Sequence, residues 1–246
     1  MRRILLVLTG LVTIAVSAVE LNGKKEYIAL TWKNTMAHPA FTVSFKVRMD
    51  KKNMVIPAHV KNRGRVLFHL NCVPGNVIGL RSMKIMFVMT AHPTGGYAGI
   101  EAMSNDGKGK PEKIRYNVFW RAANSQVPTD EFVTVTLVYG DGRLDAYLNQ
   151  QNHATLHKPM FHSVGYAAPE YRMSFGGING RYSTPCRVKD IAVYDRCLSD
   201  QEVKKLAAGT LSYGQIPGLL AFYPMTDNAI PRKMSPQITV KLNKKK

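Results

Sequence analysis

The chain has 246 residues, enough for one large domain or two small ones, and 34 Lys+Arg against 16 Asp+Glu give it a formal charge of +18. Such an excess attracts polyanions, and its plainer use is to keep a surface soluble. Beyond the N-terminal leader no segment is apolar for long enough to cross a bilayer, and no CxxC or Cys/His spacing marks a structural zinc site.

Residues 1–18 have the parts of a secretory signal peptide. Arg2 and Arg3 form the basic region, 4–16 is a short apolar run, and Val16-Ser17-Ala18 is a small-residue cleavage site. The reading predicts a secreted or periplasmic protein whose mature chain starts at Val19 with two fewer positive charges. Acidic glycans, cell-wall polymers and anionic membrane surfaces are then the polyanions within reach, and nucleic acid is less accessible. In an oxidising compartment Cys72, Cys186 and Cys197 are expected to give one disulfide and one spare thiol. With 187–195 as one strand, Cys186 and Cys197 lie about 30 Å apart at ~3.3 Å per residue. A bridge needs Cα atoms within about 7 Å, so the expected pair is Cys72 with either Cys186 or Cys197.

In chain order, the remainder reads as short strands between turn signals. Residues 27–32 open the series, and 41–48 (FTVSFKVR) alternate: Phe41, Val43, Phe45 and Val47 on one face, Thr42, Ser44, Lys46 and Arg48 on the other. Further strands are predicted over 66–70, 76–80, 83–89, 97–103, 114–120, 132–139, 144–149, 172–175 and 219–225. Gly140-Asp141-Gly142 is a tight-turn signal between Leu137-Val138 and the alternating Leu144, Ala146 and Leu148. Loops are marked by Asn105–Pro111, Val127–Asp130 and Ala168-Pro169, and His92-Pro93-Thr94-Gly95-Gly96-Tyr97 reads as a turn. After a mostly buried strand with Val188, Ile191, Val193 and Tyr194, Ser199 and Glu202 have capping-box spacing. The helix predicted over 200–208 has Val203, Leu206 and Ala207 on one apolar face and Gly209 as its left-handed stop. Residues 232–246, with six Lys/Arg and no acid, read as a mobile, solvated basic tail. Many short strands and one late helix predict an all-β, antiparallel two-sheet sandwich over 19–231 with one short C-terminal helix.

Several of these pieces resemble the laminin-G-like jelly rolls of the concanavalin A-like lectin/glucanase superfamily. RVKDIAVYDRCLSDQEVKKLAAG (187–209) is similar to the family's closing segment, "G-x-I-D-x-V-x-I-Y-x-R-x-L-S-x-x-E-I". The 132–149 hairpin is similar to "W-x-x-V-x-x-x-Y-D-G-x-x-x-L-Y-V-N-G", with Phe132 for the frequent Trp and Gln150 for the usual Gly. FTVSFKVR and Phe175-Gly176-Gly177 also match, so that the resemblance covers residues 27–209. GLLAFYPM (218–225) resembles a strand that often opens such domains, and it is expected to close the sandwich beside the first strand. The resemblance implies a jelly roll that hosts lectins, hydrolases and adhesion modules alike. It also implies calcium at the sandwich rim, for which Asp106, Asp130 and Asp141 are the candidates.

No E-x-D-x-x-E strand motif supplies the paired carboxylates of a glycosidase. The nearest acidic neighbours are Asp130/Glu131 in a loop and Asp200/Glu202 at the helix start, and no G-x-S-x-G turn is present. His153, His157 and His162 are a loose zinc candidate without helical spacing. For glycan binding, a rim aromatic and a nearby amide are the expected parts. Tyr116, Trp120, Arg121 and Asn124 make one cluster, with core packing of Tyr116 and Trp120 as the plainer alternative. Tyr166, Tyr171, Asn179, Arg181 and Tyr182 make a second on predicted loops. The expected function is a non-catalytic, lectin-like module for glycans or glycosylated surfaces, acidic ones included. An adhesion module binding a protein partner is the main alternative, and a polysaccharide hydrolase the second.

Overall fold

A computed structural model describes residues 18–23, 26–33, 40–54, 64–73, 83–92, 95–104, 114–119, 128–140, 143–157, 170–177, 185–224, 233–234 and 238–243. In chain order these form β1 (Val19–Asn22), β2 (Tyr27–Lys33), β3 (Phe41–Arg48), a single-turn α1 (Lys51–Met54), β4 (Gly64–Val73), β5 (Met83–His92), β6 (Gly95–Ser104) and β7 (Ile114–Phe119). Then follow β8 (Phe132–Gly140), β9 (Arg143–Leu148), β10 (Gln151–His157), β11 (Glu170–Phe175), β12 (Pro185–Tyr194) and α2 (Asp200–Ala208). A 3₁₀ turn (Tyr213–Gln215), β13 (Leu219–Tyr223), β14 (Lys233–Met234) and β15 (Ile238–Asn243) complete the described elements. Every pairing is antiparallel. Sheet I has the order β10-β9-β8-β3-β12-β13-β14, with β1 also on β12; sheet II has the order β15-β2-β11-β4-β5-β6-β7. The chain is thus an all-β, two-sheet antiparallel sandwich, as the alternating patterns predict.

The period-2 pleat of β3 sends Phe41, Val43, Phe45 and Val47 between the sheets, where each is at most 1% exposed. Phe45 from sheet I meets Phe68 and Phe175 from sheet II at ring-centroid distances of 5.7 and 5.1 Å. Trp32 and Tyr139 flank Phe41 at 6.2 and 5.2 Å. Each buried aromatic contributes about 1.5–3 kcal/mol of transfer free energy, so this cluster joins the layers.

Thr42 and Ser44, expected to face water, are fully buried. The outer face of sheet I is covered by α2 and the segment leading into it. Leu198, Val203, Leu206 and Ile216 pack there against Val138, Tyr147, Ala192 and Tyr194 as a second apolar cluster. The buried hydroxyls have partners: the Thr42 hydroxyl donates to the Arg196 carbonyl at 2.8 Å and accepts from the Leu198 N–H at 3.0 Å, and Ser44 bonds Thr136 at 2.9 Å.

The helix has the predicted termini. The Ser199 hydroxyl accepts from the Glu202 N–H at 3.3 Å, Glu202 Oε2 accepts from the Ser199 N–H at 2.8 Å, and Gly209 takes φ 73° at the end. Arg196 adds a second hold on Glu202, with Nη1 donating to Oε2 at 3.0 Å.

Other expectations are corrected. Residues 95–97 are not turn but the start of β6, because His92 pairs directly with Gly95. Part of the segment read as a mobile tail is strand: Ile238–Asn243 pairs with β2 over six positions, since Ile238, Val240 and Leu242 carry a strand alternation that the surrounding lysines obscure. Residues 151–157, covered by none of the predicted strands, form β10 against β9. β13 closes sheet I on β12, not on β2; it follows β1 along the same edge of β12. The strand predicted over 76–80 lies outside the described residues, as does the leader at 1–17.

The Arg196 guanidinium, with the Ser199 bonds, holds the Glu202 carboxyl at about 2, against 4.5 ordinarily. A depressed carboxylate stabilises the fold above its unfolded pKa and loses that contribution as pH falls. Thermal melts should therefore show stability falling between pH 4.5 and about 2. Glu202→Gln should flatten that window, and Ser199→Ala should cost about 1 kcal/mol at neutral pH.

Candidate functional site

The alternation of β9 places Arg143, Asp145 and Tyr147 on the outer face of sheet I, beside the start of α2. Between them lies a cleft of about 490 Å³ with mixed walls, lined by Val138, Gly140, Arg143, Asp145 and Tyr147 from the hairpin and by Cys197, Leu198, Ser199 and Asp200 from the helix entry. Asp145 is 5% exposed. Its carboxylate accepts from Arg143 Nε at 2.6 Å, from the Thr155 hydroxyl at 2.6 Å and from Asn152 Nδ2 at 3.3 Å. These three donors occupy its oxygens, so that Asp145 ties β9 to β10 and aims Arg143 into the cleft. It is built as a holding group and not as a proton donor.

Arg143 keeps its outer guanidinium edge half-exposed. The hydrogen bond to Asp145 raises its pKa further, so it is a fixed positive charge. Burial, with Asp145 and Asp200 nearby, raises the Tyr147 phenol above its usual value, which keeps it a neutral hydroxyl. Asp200 stands half-exposed at the other wall and pairs with Lys204 at 2.7 Å. Gly140 makes room for the helix entry: a Cβ there would lie 2.3 Å from Cys197 Sγ, which donates to the Tyr139 carbonyl at 3.3 Å. The cleft thus offers a guanidinium, a carboxylate and hydroxyl groups to a hydroxylated ligand.

The residues singled out by sequence are distributed differently. Tyr116 lies on β7 at the edge of sheet II, in a cross-strand row that runs through Ala102, Ile85 and Leu70 to the buried Met173. Tyr171 is on β11 opposite Trp32, a strand position and not the expected loop. Four strand spacings separate β7 from β11, about 19 Å at ~4.8 Å each, so the backbone positions of Tyr116 and Tyr171 are far apart. Trp120, Arg121, Asn124, Tyr166, Asn179, Arg181 and Tyr182 lie outside the described residues.

Of the calcium candidates, Asp106 and Asp141 also lie outside them. Asp130 is engaged locally: its Oδ1 accepts from the Lys51 N–H at 3.1 Å at the start of α1, and its own N–H donates to the Met49 carbonyl at 2.7 Å. His153 and His157 fall on β10 and His162 outside the described residues. Among the described residues no three His, Cys, Asp or Glu are grouped to hold a metal ion.

The cysteine expectation is corrected. Cys186 is a free thiol, buried in the core between the sheets, and desolvation pushes its pKa up to about 12. A Cys72–Cys186 bridge is therefore not formed. Cys72 is on β4 in register with Tyr171, and its side chain lies outside the described residues; Cys197 is not bridged either, its thiol donating to the Tyr139 carbonyl, so the Cys72–Cys197 alternative is not formed.

The cleft residues were missed as a site because their strand pattern marks Arg143, Asp145 and Tyr147 as ordinary outward positions. Only the docking of α2 over them makes a cavity. The alternation within the hairpin was the available signal, since it put all three on one face.

Among the described residues no helix is long and apolar enough to cross a membrane. No protein-family model and no curated protein matches the chain. Solved structures do. A candidate carbohydrate-binding protein from Bacteroides ovatus is 13% identical, over 91% of this chain and 59% of that one, with a TM-score of 0.51. Leech intramolecular trans-sialidase is 19% identical over 80% of this chain, with a TM-score of 0.50. NanB sialidase from Streptococcus pneumoniae is 18% identical over 77%, also with a TM-score of 0.50. The present chain covers 28% and 27% of those two sialidase chains, little more than a quarter of each.

Asp145→Ala removes the acceptor of three donors and should destabilise the protein by about 2 kcal/mol in denaturant titrations. Asp145→Asn, which keeps an acceptor oxygen for Thr155, should cost less. At these identities the likeness speaks for the fold alone: the chain is an antiparallel two-sheet β-sandwich of the jelly-roll kind.

Proposed function

We propose that this chain is a secreted, non-catalytic, lectin-like module of the laminin-G-like type that binds glycans, acidic ones in particular. The observation that carries the reading is the cleft beside α2. Its volume, about 490 Å³, lies within the range of small-molecule sites, and its walls mix polar groups (Arg143, Asp145, Tyr147, Ser199, Asp200) with apolar Val138 and Leu198. Arg143 is held by a buried carboxylate and aimed outward, an arrangement suited to recognising an anionic or hydroxyl group without transforming it. Support comes also from the kind of neighbour the fold has, a candidate carbohydrate-binding protein and portions of two sialidases. The net positive charge, still strong after the two leader arginines are discounted, favours acidic over neutral sugars.

The test is a glycan array probed with the chain from Val19, carrying neutral, sulfated, uronate-containing and sialylated glycans, with calcium and with chelator. Retention on acidic glycans that weakens as salt rises is the expected result, and loss with chelator would add a metal requirement. Arg143→Ala should weaken the retention about tenfold or more, the value of a hydrogen bond to a charged group. A blank array in both conditions would overturn the proposal in favour of a protein-binding adhesion module.

A further inference from the structure

Beyond the apolar cluster under α2, the outer face of sheet I carries a compact block of cations. On β3 the outward positions after Ser44 are Lys46 and Arg48, and register sets Lys189 and Arg187 of β12 directly opposite them. All four side chains are partly exposed. Residues directly opposite stand about 5 Å apart at their Cα atoms, and i, i+2 neighbours about 7 Å. Like charges directly opposite one another destabilise a sheet, and this block has two such pairs in succession. β3 and β12 lie inside the sheet, between β8 and β13, so the need to guard an exposed edge strand does not account for them.

Two of the four cations are compensated. Asp190, at a bulge where its φ is 53°, pairs with Lys46 at 3.2 Å, and Lys46 also stands 6.0 Å from the centre of the Tyr213 ring. Glu20 of β1 approaches Arg187 at 3.9 Å, both side chains being well exposed. Among the described residues no carboxylate lies within ion-pair distance of Arg48 or Lys189. Arg48 Nε is shut off from water with no hydrogen-bond partner, a costly state for a charged donor. The Lys189 ammonium lies 4.2 Å from the centre of the Phe132 ring, and Phe132 is the register partner of Arg48 on β8. Lys189 therefore reaches over β3 to the row of Arg48.

Four cations against two carboxylates leave a surplus of two positive charges, on Arg48 and Lys189. A phosphate monoester carries close to two negative charges at neutral pH and offers strong acceptor oxygens to both donors. A carboxylate or a sulfate ester brings only one charge. We propose that Arg48 and Lys189, with Arg187 at their side, form an anion site for the phosphate group of a phosphate monoester. The site is separate from the cleft: Thr42, which bonds the cleft-lining Leu198, lies six residues from Arg48 along β3, about 20 Å away. It does not depend on the glycan-binding reading, and a blank glycan array would leave it standing.

The experiment is calorimetric titration with inorganic phosphate and glucose 6-phosphate, with methyl sulfate and glucose as comparisons, at constant ionic strength. A second arm measures cosedimentation with phosphatidylcholine vesicles with and without phosphatidic acid. Both soluble phosphates should bind and raise the melting temperature. Methyl sulfate should bind at least tenfold more weakly, and glucose not at all. Arg48→Gln with Lys189→Gln should raise the dissociation constant for phosphate at least tenfold and abolish the gain in melting temperature. Melts without phosphate verify that the variant is folded, and Lys189→Gln alone, with a severalfold loss, stands in if it is not. The control, Lys33→Gln with Lys205→Gln, removes two exposed lysines on β2 and α2 and should change little.

Methyl sulfate bound as tightly as phosphate, or equal loss in the lysine control, would overturn the proposal and leave bulk charge as the cause. Unchanged phosphate binding by the Arg48/Lys189 variant, or no binding of any phosphate probe by the unmodified protein, would overturn the site while leaving the glycan reading intact. Binding of the soluble phosphates supports the site with a soluble ester as its ligand. Retention on phosphatidic acid vesicles alone, lost in the same variant, supports it with a lipid headgroup as the source of the phosphate.

Discussion

The contact on which the rest of the molecule depends is the meeting of Phe45 with Phe68 and Phe175 across the two sheets. Phe68 and Phe175 also touch each other at 5.2 Å within sheet II. Three fully buried rings from three strands fix which face of each sheet turns inward. Because side chains alternate along a strand, a one-residue slip in any of these strands would exchange its buried and solvent faces. Every outward position discussed above is therefore set by this cluster, including Arg143 and Arg48 on sheet I.

The two outer faces then have different fates. On sheet I the outward residues Val138, Tyr147, Ala192 and Tyr194 are apolar or aromatic enough to take a helix, and α2 supplies Val203 and Leu206 to meet them. A helix docked on a sheet leaves a rim, and in this protein the rim becomes a cleft because Gly140 admits Cys197 without a side chain in its way. Polar groups caught beneath it must be satisfied. Asp145 shows how: a buried carboxylate is costly unless paired, and the three donors from Arg143, Thr155 and Asn152 make its burial affordable while fixing the guanidinium. On sheet II the outward row at Arg172 also holds Thr31, Asn71, Lys84, Met103 and Arg115, and Ser174 and His69 of the next outward row are buried.

The proposed reading, recognition rather than turnover, accords with the state of two buried groups. The most buried carboxylate of the cleft is committed to hydrogen bonds, and the buried Cys186 thiol is held protonated by desolvation.

By itself the sequence determined the local structure. The alternation in FTVSFKVR, the hairpin around Gly140, and the Ser199/Glu202 box with Gly209 appear in the fold where their spacing puts them. These are signals within a few residues of one another, set by the pleat period and by capping geometry. Tertiary structure alone decided which strands became neighbours. Register set Arg187 and Lys189 opposite Arg48 and Lys46 from distant segments of the chain, and it drew Ile238–Asn243 into sheet II although lysines masked its alternation. It also buried Thr42, Ser44, Asp145 and Tyr147, which their own strands marked as outward, because the groups that meet them, on α2, on the segments flanking it and on β10, arrive from elsewhere in the chain. A pleat dictates two faces, but only packing decides what each face meets.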